Sequence, residues 1–175
     1  MHLNQSKCVF LDRDGVLNKE LGDYLAKLED LIIPEGVPEG LKLLKDAGFL
    51  LIVITNQAGI AKGLYGPELV YAIHEQMQEA SGRILDDLYF SPYHPDFSGK
   101  SLSRKPDSLL IEKAIAKYDI NPDGSWMIGD RSRDMEAGHK AGLRTIHVVT
   151  GNENSAGEFA AANLLEAAKI ILKNS

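Results

Sequence analysis

Cys8-Val9-Phe10-Leu11-Asp12-Arg13-Asp14-Gly15-Val16 changes character in mid-run: four apolar residues give way to two carboxylates one residue apart and a glycine. An apolar run of that length reads as a buried strand, and Gly15 can turn the chain at its end. Asp12 and Asp14 then sit at the carboxyl end of a strand, where open α/β sheets bind their ligands. Two carboxylates that close repel unless a cation or a shared proton offsets them. A metal-assisted phosphoryl-transfer site explains both features. A plain turn, for which Asp and Gly are equally suited, explains the pentapeptide alone just as well. The residues downstream decide between the two.

Outward from that stretch, strand and helix signals alternate. Residues 7–11 read as the first strand and 39–47 as a helix with Leu41, Leu44 and Ala47 on one face. Gly48 ends that helix, and 49–54 is a second buried strand. Pro67 suits the first turn of a helix over 67–81. A weaker strand covers 88–90, and a helix over 109–118 turns on Leu110, Ala114 and Lys117. A strand at 126–128, a helix at 133–141, a strand at 144–149 and a helix at 163–173 complete the pattern. Such alternation predicts an α/β fold, a mostly parallel sheet with helices on both faces. Two irregular segments, 18–36 and 92–105, are long enough to be lids or binding loops.

Bulk properties bound the function. A chain of 175 residues holds one domain with a real core, so residues 1–175 are expected to form a single unit. A net charge of −6 argues against a general nucleic-acid binder, whose footprint is a basic surface. The single cysteine, Cys8, sits in the first strand and is expected to be buried and inert. Residues 1–7 lack a signal-peptide core, and the longest apolar run, 49–54, is too short to span a membrane. The expected compartment is the cytoplasm, with no membrane partner. No heptad or apolar stripe reveals an oligomeric state.

Three further motifs follow strands or open helices. Thr55-Asn56-Gln57 follows the second strand, where a hydroxyl and the next backbone N–H groups can cradle a phosphate, or simply cap a turn. Arg104-Lys105-Pro106 precedes a helix; its lysine either offsets charge on a transferring phosphoryl group or is a solvated surface residue. Gly129-Asp130-Arg131-Ser132-Arg133-Asp134 follows a strand, with Asp130 and Asp134 on one helical face or acting as caps. Taken together, Asp12, Asp14, Thr55, Lys105 and Asp130 fall at one edge of one parallel sheet, which favours a phosphoryl-transfer site.

These motifs, with the longer run Thr55-Asn56-Gln57-Ala58-Gly59-Ile60-Ala61, resemble the haloacid-dehalogenase (HAD) superfamily of phosphatases. More narrowly they are similar to the branch holding heptose 1,7-bisphosphate and histidinol-phosphate phosphatases, over residues 7–151. The resemblance implies a HAD-like Rossmannoid three-layer fold of the minimal, capless type, because only about 40 residues separate the aspartates from Thr55. Residues 18–36 would then be a flap, with Glu20, Gly22 and Tyr24 where relatives contact substrate. By the same resemblance Asp12 is the nucleophile and Asp14 the general acid and base. The resemblance implies that Mg²⁺ would be held by Asp12, the Asp14 backbone carbonyl and Asp130. On the same resemblance Thr55, Asn56 and Gln57 would bind the phosphoryl group, Lys105 would stabilise developing charge, Asp134 would orient Lys105 or metal-bound water, and Arg104 and Arg131 would take a second phosphate.

The chain departs from that branch in one loop. Relatives with a structural zinc carry three cysteines and a histidine there, whereas this loop reads Ser91-Pro92-Tyr93-His94-Pro95 and Ser101-Leu102-Ser103. Hydroxyls are poor zinc ligands, so no zinc is expected, and His94 becomes a loop-packing or substrate-facing residue. The other histidines, His2, His74, His139 and His147, show no ligand spacing. The implied activity is Mg²⁺-dependent hydrolysis of a small phosphorylated sugar, with the 7-phosphate of D-glycero-D-manno-heptose 1,7-bisphosphate first. Histidinol phosphate or another phosphorylated metabolite is the alternative. A nucleic-acid 3′-phosphatase fits the acidic charge poorly. A catalytically silent phosphate-binding protein would need a broken nucleophile, acid or metal ligand, and each position is intact.

Overall fold

Both faces of the sheet are covered, which is why its central runs, 8–11, 50–54 and 126–128, are apolar throughout instead of alternating. The computed structural model describes residues 5–149 and 154–175; His2 and the far end of the resemblance at residue 151 lie outside them. The strands are β1 (Cys8–Leu11), β2 (Leu50–Asn56), β3 (Asp87–Ser91), β4 (Trp126–Gly129), β5 (Arg144–Val148) and β6 (Phe159–Ala161). The α-helices are α1 (Gly36–Asp46), α2 (Pro67–Ala80), α3 (Pro95–Ser98), α4 (Leu109–Tyr118), α5 (Ser132–Lys140) and α6 (Leu164–Lys173).

The six strands form one sheet in the order β3-β2-β1-β4-β5-β6, and every pairing is parallel. Side chains of each strand alternate between two cores. Val9 and Leu11 of β1, with Leu51, Val53, Ile128 and Ile146, pack under α1, α2 and α6. Cys8 and Phe10, with Ile52, Ile54 and Met127, pack under α4 and α5. Cys8 is fully buried, and burial pushes its thiol well up, as expected of an inert cysteine. No helix among the described residues is long and apolar enough to cross a membrane.

Several boundaries differ from the sequence reading. Helix α1 begins at Gly36, three residues earlier than expected: Val37 is buried one turn before Leu41, and Pro38, tolerated in the first turn of a helix, hides that continuation of the spacing. A side chain at Gly40 would stand 3.2 Å from the Leu165 backbone, so Gly36 and Gly40 let α6 approach closely. Strand β2 runs on through Thr55 and Asn56, which pair with Phe90 and Ser91 of β3. The edge strand β6 and the single-turn helix α3 are too short to leave a periodic signal. Between β1 and α1 the chain forms no separate domain: residues 12–35 contain a single 3₁₀ turn, Leu28–Asp30.

The chain leaves β1 to build β2 on one side and later returns to lay β4 on the other. The carboxyl ends of β1 and β4 therefore meet at a topological switch point, where open α/β sheets form ligand crevices. Leu11 is paired with Ile128, and the Asp12 N–H donates to the Ile128 carbonyl at 2.9 Å.

Candidate active site

Beyond Leu11 the chain turns tightly, the Arg13 carbonyl accepting from the N–H groups of Leu17 and Asn18 at 2.8 and 3.1 Å. Gly15 adopts φ +84°, open to glycine at little cost, and a side chain there would strike the carboxylate of Asp130. Across the switch point Gly129 serves similarly, since a β-carbon at that position would overlap Asp134. Two glycines thus make room for two carboxylates.

Lys105 is the hub. It is only 2% exposed, and its ammonium donates to Asp12 Oδ1 at 2.8 Å and to the Ile54 carbonyl at 2.8 Å, and lies 2.7 Å from Asp134 Oδ1. Burial pulls its pKa down, and the Asp12 and Asp134 carboxylates more than reverse that, leaving it charged. The backbone of Lys105 is clasped by the Asn56 amide, which accepts from its N–H and donates to its carbonyl, each at 3.0 Å. The Lys105–Pro106 peptide is cis. Asp134, fully buried in the first turn of α5, accepts the Arg131 N–H on its other oxygen at 3.0 Å.

Oxygens of Asp12, Asp130 and Asp134 lie within 4.8 Å of one another. Burial, then the charge of Asp134, pushes Asp12 up to about 8 despite Lys105. Burial and Asp134 likewise push Asp130 up to about 6, against the pull of Arg131. Three carboxylates facing one ammonium leave excess negative charge on hard oxygen donors, the donor chemistry that suits Mg²⁺. Both oxygens of Asp134 are engaged by Lys105 and Arg131, so Asp12 and Asp130 are the side chains with oxygen to offer a cation.

Asp14 lies in a cage of donors. Arg13, itself buried, holds it through Nη2 at 3.0 and 3.1 Å, Asn18 donates at 3.1 Å and Gln57 at 3.0 Å. Thr55 is buried beside Gln57, which donates to its hydroxyl at 2.8 Å. Gln57 therefore binds protein groups, and Asn56 binds the Lys105 backbone. Arg131 rests on Asp130 at 3.3 Å and on Glu20 of the flap at 3.5 Å. Arg104 donates to the Tyr93 carbonyl at 3.2 Å; burial and the like charge of Arg133 hold its pKa down.

Around this floor three loops meet. The Lys62 ammonium lies 5.0 Å from the Tyr24 ring of the flap and 5.2 Å from the Phe97 ring of the 92–105 segment. In that segment the hydroxyl of Ser103 is 2.9 Å from that of Ser91 and 2.8 Å from that of Ser101, a chain of hydrogen bonds that orders the loop. His94 Nδ1 accepts the Asp96 N–H to cap α3, and its ring packs edge-on against Phe97 at 5.2 Å.

Arg13, Asn18 and Tyr65, whose hydroxyl donates to Gln57 Oε1 at 2.6 Å, carry no signal of their own in the sequence beyond adjacency to a motif. Their partners, Asp14 and Gln57, are brought to them by the turn geometry after β1 and β2.

A family model described as "HAD-hyrolase-like" matches residues 102–169. The chain is 35% identical over 167 residues to the D-glycero-D-manno-heptose-1,7-bisphosphate 7-phosphatase of Chlorobaculum tepidum, covering 87% of this chain and 84% of that protein. It is 39% identical over 154 residues to the D-glycero-beta-D-manno-heptose-1,7-bisphosphate 7-phosphatase of Haemophilus ducreyi, covering 83% and 84% of the two chains. Among solved structures, the D,D-heptose 1,7-bisphosphate phosphatase of B. bronchiseptica, complexed with magnesium and phosphate, superposes with a TM-score of 0.87 at 27% identity. That match covers 97% of this chain and 99% of the other. With a capless parallel sheet, a buried Asp12–Lys105–Asp134 cluster at its switch point and relatives matched along most of their length, the chain belongs to the haloacid-dehalogenase superfamily of phosphatases, in its heptose-bisphosphate branch.

Proposed function

We propose that residues 1–175 act as one cytoplasmic phosphatase domain that removes the 7-phosphate of D-glycero-D-manno-heptose 1,7-bisphosphate. The observation that carries the chemistry is the buried Asp12 carboxylate, held by Lys105 and accompanied two residues on by Asp14. The choice of sugar rests on what the relatives are named for. Asp12, the Asp14 carbonyl and Asp130 would hold Mg²⁺, which when bound offsets the repulsion between an anionic nucleophile and an anionic phosphate. No zinc is expected, and the serine hydroxyls take over the ordering of the loop.

In the first step an Asp12 oxygen attacks phosphorus, the bond from phosphorus to the sugar oxygen breaks, and the Asp14 carboxylic acid protonates the leaving alkoxide. In the second, water attacks the aspartyl phosphate while Asp14 takes its proton, releasing inorganic phosphate and restoring the Asp12 carboxylate. Thr55 donates to a phosphoryl oxygen, and Asn56 acts there by fixing Lys105. Lys105 holds Asp12 in place and offsets the developing charge. Arg104 and Arg131 would receive the second phosphate; an anion there would offset the like charges of Arg104 and Arg133.

The test is phosphate release from heptose 1,7-bisphosphate and from histidinol phosphate, with Mg²⁺ and with EDTA, using Asp12→Ala as control. The expected result is Mg²⁺-dependent release, abolished by Asp12→Ala, with a preference of at least about a hundredfold for the heptose. Preference for histidinol phosphate would overturn the substrate, and an active Asp12→Ala variant would overturn the nucleophile.

A further inference from the structure

Gln57 is 1% exposed, and each polar atom of its amide has a partner. Nε2 donates to Thr55 Oγ1 at 2.8 Å and to Asp14 Oδ2 at 3.0 Å, while Oε1 lies 2.6 Å from the Tyr65 hydroxyl. While Asp14 is ionised the amide sits only this way round, because its carbonyl would be repelled by the Asp14 carboxylate. Oε1 must then accept, and Tyr65 must donate. Thr55 has one hydroxyl proton; with a lone pair already taken by Gln57, that proton points elsewhere, free for a phosphoryl oxygen.

We propose that Tyr65 and Gln57 form a positioning relay that sets the donor direction of Thr55 and the place of the Asp14 carboxylate together. The relay rests on the phosphatase reading above, since it matters only if Thr55 meets the phosphoryl group and Asp14 handles the leaving-group proton. Three features hold it. The Gln57 backbone N–H is fixed to the Ser91 carbonyl at 2.8 Å. Gly59 admits the Tyr65 ring, because a β-carbon at residue 59 would enter that ring. Burial, with Arg13 opposing it, pushes the Tyr65 phenol up to about 12, so its proton stays in place at working pH. The relay thus ties the group that binds the phosphate to the group that moves the proton. It also gives residues 57, 59 and 65 a joint physical reason for being Gln, Gly and Tyr.

Tyr65→Phe tests it, keeping the ring against Gly59 and removing only the donor. With Mg²⁺ saturating, kcat on the bisphosphate should fall about tenfold while KM stays within about twofold, the effect of one hydrogen bond. In a Thr55→Val background the same change should cost no more than about threefold, because one end of the relay is already gone. Wild-type kcat in Tyr65→Phe, or equal costs in both backgrounds, would overturn the relay, the second outcome marking a purely structural role. If the wild-type enzyme leaves the heptose substrate untouched, the substrate reading fails alone and the same comparison is made with p-nitrophenyl phosphate. Failure of the wild type on both would overturn the relay along with the phosphatase reading.

Discussion

Replacing Gly15 by alanine separates backbone strain from damage to the acidic site. Gly15 has φ +84°, where an L side chain costs roughly 1–2 kcal/mol. For a chain of this size that lowers the thermal midpoint by about 2–8 °C. A second effect is local: the new β-carbon would stand 2.9 Å from Asp130 Cβ and closer still to its carboxyl group, so Asp130 must swing away. A ligand displaced by about 1 Å can cost about a hundredfold in rate, and disturbed metal-site geometry weakens binding by about ten- to a hundredfold. Half-saturating Mg²⁺ should therefore rise at least about tenfold, close to 1.4 kcal/mol. The assay is phosphate release against Mg²⁺ concentration, with melting curves recorded in EDTA. Gly48→Ala is the control, because Gly48 has φ +88° with nothing within 4 Å and lies at the end of α1. It should lose similar stability and keep the wild-type Mg²⁺ requirement. An unchanged requirement in Gly15→Ala, or an equal rise in Gly48→Ala, would refute the role given to Asp130.

Lys105→Met should lower kcat by about 10²–10³-fold, the effect of removing one preorganised donor, and Lys105→Arg should not restore it in a pocket shaped for a compact ammonium. Steady-state kinetics decide this, and activity within tenfold of wild type would count against the hub. Asp134→Asn keeps the shape of the side chain while removing one of the two charges that hold the lysine. Activity is expected to fall at least about tenfold, with a lower melting point, because a buried pair loses a partner. Ser103→Ala breaks both links of the hydroxyl chain and leaves Ser91, fully buried, without its partner. A loss of about 1–3 kcal/mol and a raised KM should follow, read by melting and by kinetics; an unchanged KM would show that this loop does not shape the pocket.

Much of the fold was legible in the chain because its determinants are local. Strand-like runs gave β1, β2, β4 and β5, three-to-four-residue spacing gave α2, α4 and α6, and the closing Gly142 marked α5, all within a few positions. The first turn of α1 has only Val37 to continue the spacing of Leu41 and Leu44, with Gly36 and Pro38 on either side of it, and α3 and β6 are too short for a period to develop. Lys117 illustrates the opposite error: its spacing put it on the face of Leu110 and Ala114, yet it is exposed and pairs with Asp87 at 2.8 Å.

By itself the sequence determined that Asp12, Asp14, Thr55, Lys105 and Asp130 would lie at one edge of a parallel sheet, since each follows a strand or opens a helix. It also determined that the zinc-loop positions carry hydroxyls. Only the tertiary structure decided which groups touch. Lys105 reaches Asp12 across 93 positions, Gln57 reaches Asp14 across 43, and Arg131 turns back onto Asp130 and Glu20. Strand periodicity and turn chemistry act over a few residues and are written in neighbours. The direction of an amide, the burial of an ammonium and the sharing of charge depend on what the folded chain places opposite, which local pattern does not encode.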